Sequence, residues 1–458
     1  MVHLRLSLAA LALALVASCT KENAAFCCLT EADCAANGVD ELRTCTDGLA
    51  CVGNTCVAPT CTTNGCGVEA PVCEIATDQC VGCTDSSQCA TFATTPVCDT
   101  ASGGCVQCVD DGACSGSAPV CDDNMCRACR LDSECPSAAC NEDGACVPEA
   151  NVVYLDPQGT DALPCSRAQP CKSLSFGLAQ TNDPRSHLVL NTGVYLDTRG
   201  VVSFSDSSAT TIILHGGNST LSSTSDDGFL SINQPAAIRD VEIANSEGVA
   251  LSLTATTLLE RVRVRGEAGI YTYGSTTLRD VDFEVQGCAI ALRGGSLTID
   301  RARVSGGTKG ICAVDPTFVT ITNLLVEGTS ELGVDLSGAI GSMSFTTIAD
   351  TGTSASGPSG MKCTQQNLSV SASIIWAPNV ARPTVEGGCT VTNSIVGPMS
   401  FGTAMNVYPG FVSSTQHDYH LSGGSPARDQ VNAGPEFDFE REPRPQGVRF
   451  DLGADEAP

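Results

Sequence analysis

Ile238-Arg239-Asp240-Val241-Glu242-Ile243 is followed by Leu259-Glu260-Arg261-Val262-Arg263-Val264, Leu278-Arg279-Asp280-Val281-Asp282-Phe283 and Ile299-Asp300-Arg301-Ala302-Arg303-Val304. Each copy sets an apolar residue, two polar residues and then apolar-x-apolar. Looser copies begin at Ile321 and Phe345, and the steps between copies are 21, 19, 21, 22 and 24 residues. A second apolar strand recurs in each copy, led by Gly248, Gly269, Gly310, Gly333 and Gly360, with Cys288 in place of the glycine in one copy. Several short strands per period of about 20 residues fit the stacked coils of a parallel β-helix. A leucine-rich repeat would need its own consonant frame and a helix or extended turn per copy, and neither is present.

The charges test that register independently. Read down the copies, the polar columns are Arg239, Glu260, Arg279, Asp300, then Asp240, Arg261, Asp280, Arg301, then Glu242, Arg263, Asp282, Arg303. Every column alternates in sign. Parallel strands stack ~4.8 Å apart, so like charges in a column repel and opposite charges pair. The fold expected is all-β, a right-handed parallel β-helix solenoid over residues 151–458, preceded by a disulfide-rich, largely irregular module.

The two ends of the solenoid carry further marks. Tyr154-Leu155-Asp156-Pro157-Gln158-Gly159 leads to Cys165, to Cys171-Lys172-Ser173-Leu174 and to a short apolar stretch ending at Ala179. This resembles the N-terminal cap of right-handed β-helix proteins of the pectin-lyase-like superfamily, where a small helix covers the open end of the coil. Leu421-Ser422-Gly423-Gly424-Ser425-Pro426-Ala427-Arg428-Asp429, then Pro443-Arg444-Pro445-Gln446-Gly447 and Asp451-Leu452-Gly453-Ala454-Asp455-Glu456, resemble the terminal motif of bacterial surface β-helix proteins of the choice-of-anchor type. Cys165 and Cys171 are expected to close the cap loop. Cys363 and Cys389, about one coil apart, are expected to bridge neighbouring coils, with Cys288 and Cys312 a further candidate pair. The resemblance implies a fold and a surface location, and fold alone does not fix an activity.

Residues 20–150 read as a different module, a stalk. Of 29 cysteines, 22 lie between Cys27 and Cys146. Four-cysteine units recur at Cys61, Cys66, Cys73, Cys80, at Cys83, Cys89, Cys98, Cys105, at Cys108, Cys114, Cys121, Cys126 and at Cys129, Cys135, Cys140, Cys146. With so few apolar residues, cross-links must replace a core. Four cysteines allow three connectivities, which spacing alone leaves open. Cys80-x-x-Cys83 and Cys105-x-x-Cys108 have zinc-ribbon spacing, but export disfavours metal, and no metal site is assigned. Asp110-Asp111 and Asp122-Asp123 lack the alternating ligands of a dedicated calcium loop. The module loosely resembles the short cysteine-rich repeats of secreted bacterial lipoproteins.

The first residues supply the address. One basic residue precedes an apolar run from Leu6 to Ala17, too short for a membrane span. Val16-Ala17-Ser18-Cys19 ends that run and resembles a bacterial lipobox, which implies diacylation of Cys19 and a leader over residues 1–19. Thr20 in place of an aspartate points to outer-membrane export. The expected partners are therefore outer-membrane lipid and, at the cell surface, a polysaccharide or another surface component. A net charge of −27 sets nucleic acid aside. It would also repel an anionic glycan unless calcium intervened, so calcium is a possible cofactor and no other is expected.

Chemistry on the coils is sparse. The densest carboxylates belong to the checkerboard, where arginines above and below would hold them ionised, which suits structure better than proton transfer. A lyase would need a basic residue, and Lys309 and Lys362 are the weak candidates on the coils. The outward row after the leading glycine reads Tyr271, Ile290, Cys312, Asp335, Lys362, with Tyr273 directed like Tyr271. Tyr271, Tyr273, Asp335 and Lys362 are the candidate ligand contacts. Trp376 is assigned to the core. The histidines His187, His215, His417 and His420 form no cluster in sequence. The leading expectation is a non-catalytic, lipid-anchored surface protein that binds glycan or another cell-surface component. A polysaccharide lyase and a purely structural spacer are the alternatives.

Overall fold

The computed structural model describes residues 26–36, 42, 44–45, 50–57, 61, 65–197, 200–313, 317–353, 357–364, 367–378 and 381–458. Cys19 and its leader lie outside them. The chain divides into two compact units: residues 1–129 with 143–145, and residues 130–142 with 146–458.

The first unit is a string of cysteine knots. Each repeat carries a short antiparallel hairpin, as in Val97–Asp99 with Gly104–Val106 and Val120–Asp122 with Met125–Arg127. Within a repeat the first cysteine bonds the third and the second bonds the fourth: Cys61–Cys73 and Cys66–Cys80, Cys83–Cys98 and Cys89–Cys105, Cys108–Cys121 and Cys114–Cys126. The acidic residues are used locally. Asp110 caps a 3-10 turn through Gly112 N–H, Asp111 accepts from Cys121 N–H at 2.7 Å, and Asp122 pairs with Arg127 at 2.7 Å.

The second unit is a parallel β-solenoid with three strand faces. On the first face, Val152–Leu155, His187–Leu190 and Ile212–Ser223 stack in register, followed by Ala236–Leu253, Thr257–Thr272, Ser275–Val285, Ser296–Ser305 and Thr317–Glu327. Its inward column runs Val153, Leu188, Leu214, Ile238, Leu259, Leu278, Ile299, Ile321, Met343, Val370, Val391. These side chains are buried and form one continuous core. The last aligned copy needs correcting, because Ile321 pairs with Met343 and not Phe345. Phe345 instead takes the bend.

That bend explains the second polar column. Asp240, Arg261, Asp280 and Arg301 all have positive φ, between 53° and 70°, and Asn323 and Phe345 in the following coils are positive too, at 54° and 48°. The column is the corner between the first and second faces, where one left-handed residue turns the chain. Later coils obscure the repeat for a second reason. Beyond the corner, the buried position held by Val241, Val262 and Val281 becomes Thr346, Ser373 and Ser394. Their hydroxyls are satisfied in a ladder, with Thr346 N–H donating to Ser373 Oγ and Ser373 N–H to Ser394 Oγ.

The N-terminal end of the solenoid is covered. The short helix Leu174–Leu178, capped by Ser173, buries Leu174 and Leu178 in the core. Asp161 fixes the cap by accepting from Lys172 N–H, Ser173 N–H and Ser173 Oγ–H. Disulfides join Cys165 to Cys171 in this loop, Cys288 to Cys312 and Cys363 to Cys389 between coils. The C-terminal segment packs on the outer side of the second face. There the column Glu242, Arg263, Asp282, Arg303 continues as Leu325, Thr347, Ile374, Ile395, and the apolar members meet Phe411, Tyr419, Leu421 and Leu452 in a second core. Trp376 belongs here and not inside the coil. It is half-buried on the outer side of that face, edge-on to Tyr408 at 5.5 Å.

Candidate functional site

The strand alternation that buries Val241 and Ile243 turns Glu242 outward, and the same holds for Arg263, Asp282 and Arg303. Glu242, Arg263 and Asp282, with Asp240, Arg261 and Asp280 of the corner column, floor an open cleft of about 390 Å³ that runs across the coils from Asn218 to Asp282. Arg441, from the C-terminal segment, closes one end with its guanidinium 2.8 Å from Asp280. A second cleft of about 280 Å³ adjoins it, sharing Asp280, Asp282 and Arg441.

Every carboxylate lining the larger cleft has an arginine partner. Arg261 Nε and Nη2 hold Asp240 at 2.6 and 2.9 Å. Arg301 Nε lies 2.6 Å from Asp280, Arg263 Nη2 3.8 Å from Asp282 and Arg265 Nη1 3.5 Å from Glu242. Burial alone would raise the Asp280 carboxyl, but hydrogen bonds from Arg301 and Arg441 outweigh it and hold the group below the ordinary aspartate range. Such a surface is a fixed lattice of donors and acceptors. It offers many hydrogen bonds to a hydroxyl-rich ligand, while at Asp282 burial outweighs Arg263 and Arg303 and raises the carboxyl.

On the third face, the outward column is Ser231, Ser252, Tyr271, Ala291, Cys312, Asp335, Lys362, Glu386. Ile290 is corrected: it is fully buried, and Ala291 takes the outward place because the copy led by Cys288 runs one residue longer. Asp335 and Lys362 are direct neighbours on adjacent coils. Tyr271 lies three coils from Asp335 in the same column, with the Arg293 guanidinium 5.4 Å from its ring centroid. Tyr273 is 47% exposed just beyond the strand. Lys309 Nζ sits 3.9 Å from Glu331 and 4.0 Å from Asp335. The lysine candidates and the tyrosines thus share a face.

The histidines do cluster, which the sequence order concealed. His187 and His215 are 28 residues apart, close to one coil length at this end, and their rings meet with Nδ1 to Nε2 at 3.0 Å. Asp132 approaches the other nitrogen of His215 at 2.8 Å. At the far end, His417 contacts the buried Glu327 at 3.1 Å, and His420 lies between Asp418 and Glu440 at 2.6 and 2.8 Å. Burial works against the charged form of His420, but those two carboxylates prevail and push its pKa up to about 9. The cysteine triads close enough to share a metal ion, such as Cys83, Cys89 and Cys105, are all oxidised to disulfides.

The fold and site define a parallel β-solenoid with a charge-paired cleft, joined to a disulfide-rich repeat module. Residues 58–152 match the model of a family of unknown function (DUF8331). No curated protein matches the chain by sequence. Among solved structures, the crystal structure of pectate lyase Pel9A aligns with a TM-score of 0.48 and 14% identity, over 67% of this chain and 96% of that one.

Proposed function

We propose that this is an exported, lipid-anchored surface protein whose β-solenoid binds a glycan without cleaving it. The observation that carries the reading is the pairing in the cleft: Asp240, Glu242, Asp280 and Asp282 each have an arginine partner. Asp280, whose carboxyl Arg301 and Arg441 hold below the ordinary aspartate range, is a poor general acid, and an arginine so engaged is a poor base. The same groups, arranged at strand spacing in an open cleft with Ser219 and Thr220, suit a polymer of hydroxyls. On the third face Lys309 is engaged in ion pairs with Glu331 and Asp335. Anchoring rests on Cys19 at the end of the apolar run.

The test incubates the protein with neutral and acidic polysaccharides, with and without calcium, and follows pull-down and chain shortening in the same tubes. Retention without shortening, lost on Arg263→Ala with Asp282→Ala, is the expected result. Loss on Tyr271→Ala with Tyr273→Ala instead would move the site to the third face. Shortening of any polymer would overturn the reading in favour of a lyase, and no retention at all would favour a structural spacer. Replacing Cys19 by Ser should move the protein from the detergent phase to the aqueous phase on Triton X-114 partition.

A further inference from the structure

The outer side of the first face, at the capped end, carries a polar group that neither the cleft nor the third face uses. His187 Nδ1 and His215 Nε2 face one another at 3.0 Å across adjacent coils. His215 is buried and His187 half-buried. The second ring nitrogen of His215 lies 2.8 Å from Asp132 Oδ1. That oxygen also accepts from Cys140 N–H at 2.8 Å, whereas Asp132 Oδ2 is buried with no hydrogen-bond partner. Arg239, the nearest cation, is spoken for, with Glu260 and Glu142 each 3.1 Å away.

Two imidazole nitrogens held tetrahedrally by one zinc, each at ~2.0–2.1 Å, stand about 3.3 Å apart, close to the separation seen. A histidine that binds metal through one nitrogen usually presents the other to a carboxylate, which fixes the ring and raises its basicity. Asp132 occupies that place, and its unpartnered buried oxygen gains from positive charge on His215. Imidazole donors select zinc, copper or nickel over calcium or magnesium.

We infer that His187 Nδ1 and His215 Nε2 bind one divalent transition-metal ion, with Asp132 positioning His215. His187, half-buried, is the ligand nearer solvent. The site is separate from the glycan reading and stands or falls independently of it.

The experiment titrates the metal-free full chain with Zn²⁺ by calorimetry, and with Co²⁺ by visible absorption. One equivalent should bind, and the cobalt spectrum should lack thiolate charge-transfer bands. His187→Ala should abolish uptake while leaving the far-ultraviolet circular dichroism unchanged. Asp132→Asn, the conservative change, should weaken binding about 10–100-fold while preserving stoichiometry. No uptake by the parent chain, or equal affinity in folded His187→Ala, overturns the inference and leaves the two rings as a hydrogen-bonded pair. Equal affinity in Asp132→Asn overturns the positioning role.

Discussion

Reversing two arginines at the corner between the first and second faces tests whether charge sets the register. Arg261 and Arg301 pair across one coil step with Asp240 and Asp280, each with Nε to Oδ1 at 2.6 Å. The Arg301 and Asp280 side chains are only 14% and 13% exposed. Each arginine also touches a second acid, Glu260 for Arg261 and Asp300 for Arg301. Replacing both arginines by aspartate creates four like-charge contacts. At strand spacing and an effective dielectric of ~20, each would cost about 3 kcal/mol before relaxation. Allowing side chains to turn away and solvent to screen, about 1 kcal/mol per contact is a floor, or about 4 kcal/mol in all. For a unit of roughly 300 residues that is a fall in Tm of about 6 °C. The control must respect the backbone, since both arginines have positive φ, at 53° and 70°. Alanine is strained there, whereas aspartate and asparagine both tolerate it. The comparison is therefore Arg261→Asp with Arg301→Asp against Arg261→Asn with Arg301→Asn, by thermal melting with disulfides intact. The aspartate pair should melt at least ~5 °C lower, and 1 M salt, with a screening length of ~3 Å, should close much of the gap. Melting within about 1 °C of each other at low salt would refute a charge-set register.

Asp455 is almost fully buried, and burial pushes its carboxyl up to about 6 despite Leu421 N–H and His420 opposing it. Its contribution to stability is full below the unfolded value of 3.8 and is lost as pH rises through about 6, so wild type should lose about 2 kcal/mol relative to Asp455→Asn between pH 4 and 7. Urea midpoints at those two pH values check it, and parallel trends in both proteins would count against it. Gly453, at φ +91°, packs so that an added Cβ would lie 2.6 Å from Thr347 Oγ1 and 2.8 Å from Ile374 Cδ1. Gly453→Ala should therefore detach the C-terminal segment, at a cost of at least ~2 kcal/mol, read as faster proteolysis after Phe401. Arg444, fully buried, hydrogen-bonds Gly453 O at 3.0 Å and lies 3.7 Å from Glu456. Arg444→Ala strands the acids around it and should cost ~3–5 kcal/mol, measured by urea denaturation.

How much of the fold was legible depends on which residues face inward. In the four strict copies between Ile238 and Val304 the inward positions are aliphatic or aromatic and the outward ones are charged, so the period shows in the chain itself. Past Ile321 three substitutions hide it. Buried hydroxyls replace valines at Thr346 and Ser373, outward charges become Leu325 and Ile374 beneath the C-terminal segment, and Phe345 takes a bend that earlier coils give to Asp or Arg. Each is a local change of chemistry answering a change of neighbour. The aromatic Trp376 was misplaced for this reason: an outward strand position reads as inward when a second layer covers it.

Sites are less legible than coils because they join residues whose sequence separation is set by the whole register. Asp335 and Lys362 become neighbours only because one coil there is 27 residues long, as the pairing of their strands requires. Asp132 reaches His215 from outside the solenoid repeat altogether, so no periodic reading of residues 151–458 contains it. The signal that could have found the histidines was arithmetic. Leu188 pairs with Leu214 in the inward column, which puts His187 and His215 one residue to either side on adjacent coils. Outward side chains on adjacent strands and diagonal positions lie within reach of ring-sized groups. Once the coil length at the capped end is fixed by its leucines, the meeting of the two rings follows, and only the carboxylate behind them requires the folded chain.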